Sequence, residues 1–384
     1  MIPLLLAAAT PAAGVDATVR AIVPAAAGVY IGGDFTRAGT TDASHIVRWT
    51  GGSWEPLGSG VDGPVHVIAV DGANVYAGGS FQSAGGTPTN NLARWDGATW
   101  NSVGGGVSGS GATVKALWYD ADGLIAGGWF AQVGGSTPGN GLARWDGSAW
   151  TLLGGTPPGI LHDIRAIAVL GGTVYVGGRL LFPGSPRASE GTLARATLLV
   201  LSNHAGSVNA DDECTGCASA DALLADGIDL YVAGAFTTTG DIVPVGSPYE
   251  VARLANATVP VGLGDGLTAP GVAGGGVIRA LTRHGGELIV AGNLAVIRGT
   301  VVGSIARWDG SNWLGVGAGV DGEVHALASD GGSLYAGGEF VTSGADTVMN
   351  VARWDGNRWI PLVSTGVPVR KKTWGELKAL FNQH

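Results

Sequence analysis

The sequence is short of charged residues and of long apolar runs. Charged residues make up 13% of the chain, against about 25% in an average globular protein. The net charge of −9 argues against a nucleic-acid-binding surface, because such surfaces neutralise phosphates with lysine and arginine. No apolar run approaches the ~20 residues of a membrane-spanning helix. Because 45% of the chain is hydrophobic, these shortages do not indicate disorder.

Lysine is scarce and is concentrated at one end. The lysines are Lys115, Lys371, Lys372 and Lys378. We predict that residues 363–384 form a basic linker and a short amphipathic helix with Thr373 at its N-cap. Its apolar stripe comprises Trp374, Leu377 and Phe381. Because so short a helix is marginal in water, we expect it to dock on the body of the protein or on an export or anchoring component.

The opposite end indicates export. Residues 1–14, MIPLLLAAATPAAG, contain a short apolar stretch and small residues but no basic region. We interpret them as a leader or a clipped signal peptide. Together with the low-lysine body, they favour an extracellular or cell-surface location.

Cysteine is nearly absent. Cys214 and Cys217 lie in ECTGC, without the second pair of a zinc site and without the βαβ context of a thioredoxin-type motif. A small disulfide loop is the preferred interpretation, inert thiols are the next, and metal or redox chemistry is the least favoured. We expect no metal and no cofactor.

Glycine, by contrast, is abundant, with 69 residues, and it marks a repeat. An apolar pair followed by Gly-Gly or Ala-Gly recurs at intervals of 46 to 58 residues. The second glycines are Gly33, Gly79, Gly128, Gly178, Gly234, Gly292 and Gly338. Periods near 40–50 with strand-like content are typical of propeller blades. We therefore predict an all-β fold in which residues 15–362 form a seven-bladed β-propeller of four-stranded antiparallel blades, with strands A to D.

Tryptophan and arginine recur within the predicted third and fourth strands. IARWDGSNW, residues 305–313, has four near copies in the chain. Its Trp308 and Trp313 are predicted to be cross-strand partners that pack between blades. Arg307, like Arg353 in the last copy, should lie on the opposite face as a buried guanidinium that bonds loop carbonyls or an acid across the blade interface.

These motifs resemble those of known propeller families. The stretch LYAGGEFVTSG…NVARWDG is similar to kelch-type repeats and, more closely, to the delta-60-type and Rax2-like repeats of bacterial cell-surface proteins. The resemblance covers about residues 17–362 and implies a propeller like the central domain of galactose oxidase. Such families include binders, scaffolds and a few oxidases. The copper site and Cys–Tyr cross-link of galactose-oxidase-like members are not expected, because the two cysteines lie together in one polar loop.

Two positions per unit are predicted to face a ligand. The second residue of strand A is Arg20, His66, Lys115, Arg165, Asp221, Arg279 or His325. Six of these are basic or become positive on protonation, which predicts a positive mouth for a small anion or an anionic glycan. The alternative is that they cap strands or pair with acids such as Asp62 and Asp321. The residue after Gly-Gly, as at Trp129, Arg179 and Glu339, should line the same face.

The function predicted from this pattern is binding or scaffolding without catalysis. GxSxG, HExxH and P-loop motifs are missing from the sequence. One alternative is an extracellular polysaccharide-active enzyme, for which Glu190, Asp211, Asp212 and Glu213 would be the candidate carboxylates. The other is a purely structural repeat protein.

Overall fold

A computed structural model of the chain shows an all-β protein. It describes residues 13–153, 163–181, 190–195, 219–235, 251–255, 259–263, 267–268, 277–294, 296–297, 300–301 and 303–364. These residues form strands, turns and loops and contain no α-helix. The predicted leader (apart from residues 13 and 14), Cys214, Cys217 and the predicted C-terminal helix lie outside them.

Each repeat folds into an antiparallel sheet whose described strands lie in the order A–B–C–D, or A–B–C in the fourth repeat. We number the sheets 1 to 7 along the chain. Strand A comprises Val19–Ala25, Val65–Asp71, Thr113–Asp120, Asp163–Leu170, Ser219–Asp226, Val277–His284 and Glu323–Ser329. Strand B comprises Gly28–Gly33, Asn74–Gly79, Gly123–Trp129, Thr173–Leu181, Asp229–Ala235, Glu287–Asn293 and Leu334–Glu339.

The outer strands are shorter. Strand C comprises Ile46–Trp49, Leu92–Trp95, Leu142–Trp145, Glu190–Arg195, Val251–Ala255, Ile305–Trp308 and Val351–Trp354. Strand D comprises Trp54–Pro56, Trp100–Ser102, Trp150–Leu152, Val259–Gly262, Trp313–Gly315 and Trp359–Pro361. In the described part of sheet 4, strands A, B and C are present.

The sheets are arranged in a closed ring. Strand A of each sheet contacts strand A of the sheets before and after it, and strand A of sheet 7 contacts strand A of sheet 1. The apolar core lies between neighbouring sheets; between sheets 1 and 2, for example, Ile46, Val65 and Trp100 belong to one buried cluster. Radially packed antiparallel sheets around a common centre define a β-propeller.

Backbone hydrogen bonds close the ring between sheets 7 and 1. Ala13 pairs with Val363, and the Gly14 amide donates to the Leu362 carbonyl at 3.1 Å. Between sheets 1 and 2, the Gly60 amide donates in the same way to Leu57 at 3.0 Å. Residues 13–16 therefore occupy, between sheets 7 and 1, the place that the D–A connection fills between sheets 1 and 2. Sheets 7 and 1 are thus joined by backbone hydrogen bonds as well as by side-chain packing.

A β-bulge interrupts the pairing of strands A and B in every sheet. In sheet 1, Val19 pairs with Gly33 and Ala21 with Gly32, so the residue between them has no partner in the ladder. The unpaired residues are Arg20, His66, Lys115, Arg165, Asp221, Arg279 and His325. Bulges redirect side chains away from the regular pleat. The bulge position is the one at which the sequence pattern predicts ligand-facing residues.

Candidate functional site

The candidate site is the ring that we call the axial rim. It consists of the seven bulge residues and, on the same side, the residue that follows the second glycine of the motif in each strand B. Among the latter, the structure describes the side chains of Asp34, Ser80, Trp129, Asn293 and Glu339. The side chain of Arg179 lies outside the described set. The rim lies beside the D–A and B–C connections, because strand A starts and strand B ends there.

The cation of sheet 1 is held by a carboxylate. Arg20 donates from Nε and Nη2 to the two carboxylate oxygens of Asp34 at 2.6 and 2.7 Å. Burial raises the pKa of Asp34, but the hydrogen bond and charge of Arg20 outweigh burial, so the net pKa is lowered. This bidentate geometry fixes the guanidinium against its own sheet.

A continuous chain of ion pairs links sheets 3, 4 and 5. Lys115 Nζ lies 2.7 Å from Asp163 Oδ1, and Arg165 lies 3.0 Å from Asp163 and 2.9 Å from Asp221. The Asp221 side chain is only 7% exposed. Burial raises the pKa of Asp163, but the hydrogen bonds and charges of Lys115 and Arg165 lower it by more. The net pKa of Asp163 is therefore below its ordinary value. The Lys115–Asp163 and Arg165–Asp221 pairs join neighbouring sheets across their seams.

The rim cations are therefore neutralised. Arg279 donates to Glu323 of the next sheet, so each of the four lysine and arginine side chains at the bulges binds a carboxylate. Among the described side chains, the carboxylates Asp34, Asp163, Asp221, Glu323 and Glu339 offset the cations. The basic bulge residues predict a surplus of positive charge at the rim, but these ion pairs do not produce one.

The acids proposed from the sequence as alternative partners have another role. Asp62 accepts the amides of Gln82 and Ser83 at 2.8 and 2.9 Å. Asp321 accepts the amides of Val341 and Thr342, both at 2.8 Å. These carboxylates therefore fasten the B–C connection to the D–A connection of the same sheet, and they do not pair with the rim cations.

The B–C connections of sheets 1, 2, 3, 6 and 7 contain short hairpins. The described hairpins pair Arg37–Ala38 with Thr41–Asp42, Ser83–Ala84 with Thr87–Pro88, Gln132–Val133 with Thr137–Pro138, Val296–Ile297 with Thr300–Val301 and Thr342–Ser343 with Asp346–Thr347. These hairpins give a regular outer border around the rim.

The two rim histidines are neutral at pH 7. Burial, followed by the positive charges of Arg20 and Lys115, lowers the pKa of His66 to about 4. Burial is also the main cause that lowers the pKa of His325. These side chains therefore gain charge only below the ordinary histidine pKa of 6.5.

His66 belongs to a relay of polar side chains across the seam between sheets 2 and 3. Its Nε2 lies 3.0 Å from Ser80 Oγ, which donates to Thr113 Oγ1 at 2.9 Å. A histidine beside a serine is the contact that a nucleophilic site requires. Here the serine proton is directed to Thr113, and an imidazole with a pKa of about 4 is a weak base. The geometry therefore favours hydrogen bonding over nucleophilic catalysis.

The recurrent tryptophans lie away from the rim, in strands C and D. Trp308 is directly opposite Trp313, with ring centroids 5.1 Å apart, and the four other pairs have separations of 4.6 to 5.5 Å. The second tryptophan of a pair can also form a hydrogen bond to the preceding sheet. For example, Trp313 Nε1 donates to Leu263 O at 2.7 Å. This geometry is that of inter-sheet packing.

The strand-C arginines act within their own sheets. Arg307 donates to Glu287, which begins strand B of the same sheet, whereas alternation predicts an acid of the neighbouring blade. Arg353 is exposed and not buried. The neighbouring sheet is instead contacted by the tryptophan face.

Several functional candidates of the rim are not evident from the sequence. Asp163 and Glu323 begin strand A, one position before the apolar residue that precedes the bulge. The only sequence signal that could have identified them is an acidic residue at this position in some of the repeats. Ser80 and Thr113 carry no signal, because their contact joins two different repeats. Among the described residues, no group of three His, Cys, Asp or Glu side chains could hold a metal ion.

Comparisons with known proteins give a limited result. No family model and no curated protein matches the chain. One similar solved structure is the computationally designed Ika8 protein, with 17% identity over 90% of this chain and 98% of that chain and a TM-score of 0.49. Another is the WD40 β-propeller domain of Doa1, with 11% identity over 86% of this chain and 93% of that chain and a TM-score of 0.49. The propeller assignment therefore depends on the strand order and ring contacts described above. No helix in the described part of the chain is long and apolar enough to span a membrane.

Proposed function

We propose that the chain is a seven-bladed β-propeller that acts as a binding module and holds its ligand at the axial rim. The cyclic contacts of the strands A support the blade count. The observation that supports the binding site is the bulge, which takes the same residue position out of the ladder in every sheet. The residue at this position is arginine, histidine, lysine or aspartate, depending on the sheet. A rigid frame with varied side chains on one concave surface is the usual design of a binding site.

The rim is better suited to recognition than the opposite face. On that face the C–D turns of sheets 2, 3, 6 and 7 share one chemistry, since Asp96, Asp146, Asp309 and Asp355 each accept amides of their own turn. Side chains that repeat in this way stabilise turns. The rim instead presents cations, carboxylates, imidazoles, hydroxyls and an indole in one ring. An exported location is part of this proposal and is supported by the apolar start of the sequence and its low lysine content.

The proposal is tested by changing one exposed residue on each face. The purified protein is screened for binding on an array of neutral, carboxylated and sulfated glycans and in a library of small metabolites, and each hit is then titrated. Glu339→Lys changes the rim, and Ala73→Lys places the same side chain on an exposed A–B turn. We expect the affinity of the hits to change in the first variant only. Loss in the second variant alone would move the site to the opposite face, and an absence of any hit would favour a structural scaffold.

A further inference from the structure

The seam between sheets 2 and 3 differs from the rest of the rim because it carries an indole. Trp129 ends strand B of sheet 3 and is half-buried. Its Nε1 donates to the Ser110 carbonyl at 3.3 Å, which orients the ring against the D–A connection of the same sheet. The other described strand-B ends of the rim are aspartate, serine, asparagine and glutamate. Trp129 is therefore an oriented aromatic surface beside the centre of the ring.

Hydroxyl groups lie next to this indole. Thr113 is the register partner of Trp129, and directly opposite residues have β-carbons about 4.5–5.5 Å apart. Ser80, which is exposed, reaches Thr113 from sheet 2 at 2.9 Å, and His66 reaches Ser80 at 3.0 Å. Hydroxyls and a neutral imidazole can both donate and accept hydrogen bonds. The seam thus places an apolar ring face beside a row of uncharged polar groups.

The seam lacks an uncompensated charge among its described side chains. Lys115, the nearest cation along strand A, is bound to Asp163 at 2.7 Å. His66 is uncharged at neutral pH because of its burial and its cationic neighbours. An anionic ligand would have to compete with Asp163 for Lys115, whereas a neutral ligand displaces no ion pair.

We infer that the rim residues Trp129, Thr113, Ser80 and His66 form a subsite for a neutral saccharide. A sugar ring has an apolar face of C–H groups that matches the indole, and its hydroxyls match the Ser80–Thr113–His66 row. An apolar surface with a few convergent polar groups is the typical composition of a small-ligand site. The inference rests on the proposed function, since it assigns a ligand class to the same rim.

The test uses soluble neutral oligosaccharides of four to six units, titrated into the full chain by calorimetry, with uronic-acid oligosaccharides of the same length as the comparison. We expect the neutral set to bind more tightly. Trp129→Ala should weaken binding by about tenfold or more, and Trp129→Phe by less, because the phenyl ring keeps an aromatic face. Ser80→Ala should weaken binding by about twofold to tenfold, the effect of one hydrogen bond. The matched control is Leu152→Ala, which truncates an exposed side chain on strand D of the same sheet as Trp129, outside the rim, and should not affect binding.

The outcomes separate the subsite from the rim. Melting temperatures equal to that of the parent protein establish that Trp129→Phe and Ser80→Ala are folded, so their affinities remain informative even if Trp129→Ala is destabilised. Tighter binding of the uronic acids, or no saccharide binding at all, would overturn the subsite. If Asn293→Ala or Glu339→Lys abolished binding and the Trp129 variants did not, the rim would stand as the site and the saccharide subsite would not. If none of the rim variants changed the binding of any ligand, the proposed function itself would fail.

Discussion

The carbonyl oxygen of Thr18 lies 2.1 Å from the position that a β-carbon on Gly33 would occupy. The same conflict, at 1.9 to 2.1 Å, occurs at the second glycine of the motif in all seven sheets. The carbonyl belongs to the backbone two residues before the bulge residue, so it cannot rotate away as a side chain would. The motif therefore marks the place where strand B passes the bulge.

A side chain at this glycine should destabilise the protein. Gly79→Ala would place a β-carbon 2.0 Å from the Pro64 carbonyl, and we expect a loss of about 2 kcal/mol or more from overpacking. Gly332→Ala is the control, since its nearest atom is 3.6 Å away and its stability should change little. Urea unfolding of the two variants checks the difference; equal stabilities would contradict this account of the motif.

The first glycine of the motif has a different neighbour. A β-carbon on Gly32 would meet the Val65 side chain of the next sheet at 2.6 Å. In sheets 5 and 6 this position is Ala233 and Ala291. A facing side chain can shift to make room for a methyl group, whereas a backbone carbonyl held in the sheet cannot. This distinction explains why only the second glycine is present in every unit.

Trp54 and Trp100 occupy equivalent positions but differ in one hydrogen bond. Both are 5% exposed. Trp100 Nε1 donates to Leu57 O at 2.8 Å, while Trp54 Nε1 is buried without a partner among the described residues. We expect Trp100→Phe to cost about 1–2 kcal/mol more than Trp54→Phe, because only the former loses a hydrogen bond. Equal losses in chemical denaturation would show that Trp54 Nε1 is bonded in solution, for example to water.

Arg165 should be more important for stability than Arg20. Arg165→Ala leaves Asp221, which is 7% exposed, without its cation, and we expect a loss of about 2–4 kcal/mol. Arg20→Ala releases Asp34, which is 29% exposed, and should cost about 1 kcal/mol or less. Thermal and urea unfolding measure both. A harmless Arg165→Ala would mean that the chain of ion pairs through sheets 3 to 5 is not part of the stable frame.

Acidification should weaken the fold through the rim histidines. The folded-state pKa of His66 is about 4, below its ordinary value of 6.5, so between these pH values the unfolded chain binds more protons and stability falls as pH falls. The expected loss from His66 is about 3 kcal/mol at most between pH 7 and pH 4. His325 shifts in the same direction. The pKa values of the rim carboxylates Asp34 and Asp163 are lowered, so these two groups lose their contribution only at more acidic pH.

Substitution of both histidines tests this. The double variant His66→Gln, His325→Gln should show a flatter dependence of the unfolding free energy on pH between 7 and 4.5. An unchanged slope would show that the two imidazoles are protonated as readily in the folded protein as in the unfolded chain.

The sequence predicts the frame better than the site. The spacing of the glycines, the Asp-Gly turns and the Trp308–Trp313 pair are local signals, and they place the strands and their pairing where the structure has them. The position of the bulge residues at one end of strand A follows from the same alignment. These features depend on contacts within one repeat, which are the contacts that a repeat pattern records.

The charge of the rim could not be predicted in this way. Lys115 is neutralised by Asp163 and Arg279 by Glu323, and in both pairs the acid belongs to the next sheet. Such a partner depends on the angle between neighbouring sheets, which no single repeat encodes. Asp62 shows the reverse case, because an acid that looks available in the sequence is already saturated by the Gln82 and Ser83 amides.

The ring is joined between sheets 7 and 1 by hydrogen bonds where it is joined elsewhere by a D–A connection. Ala13 pairs with Val363 and Gly14 with Leu362, and Val15 pairs with Ala38 as Val61 does with Ala84. The covalent order of the chain is therefore not what determines the order of the sheets around the axis. A circular permutant that links residue 364 to residue 13 through a short spacer and opens the chain at Ser59 would retain every sheet, every bulge and the whole rim. The contacts between neighbouring sheets therefore maintain the ring even where no covalent connection joins two sheets, as between sheets 7 and 1.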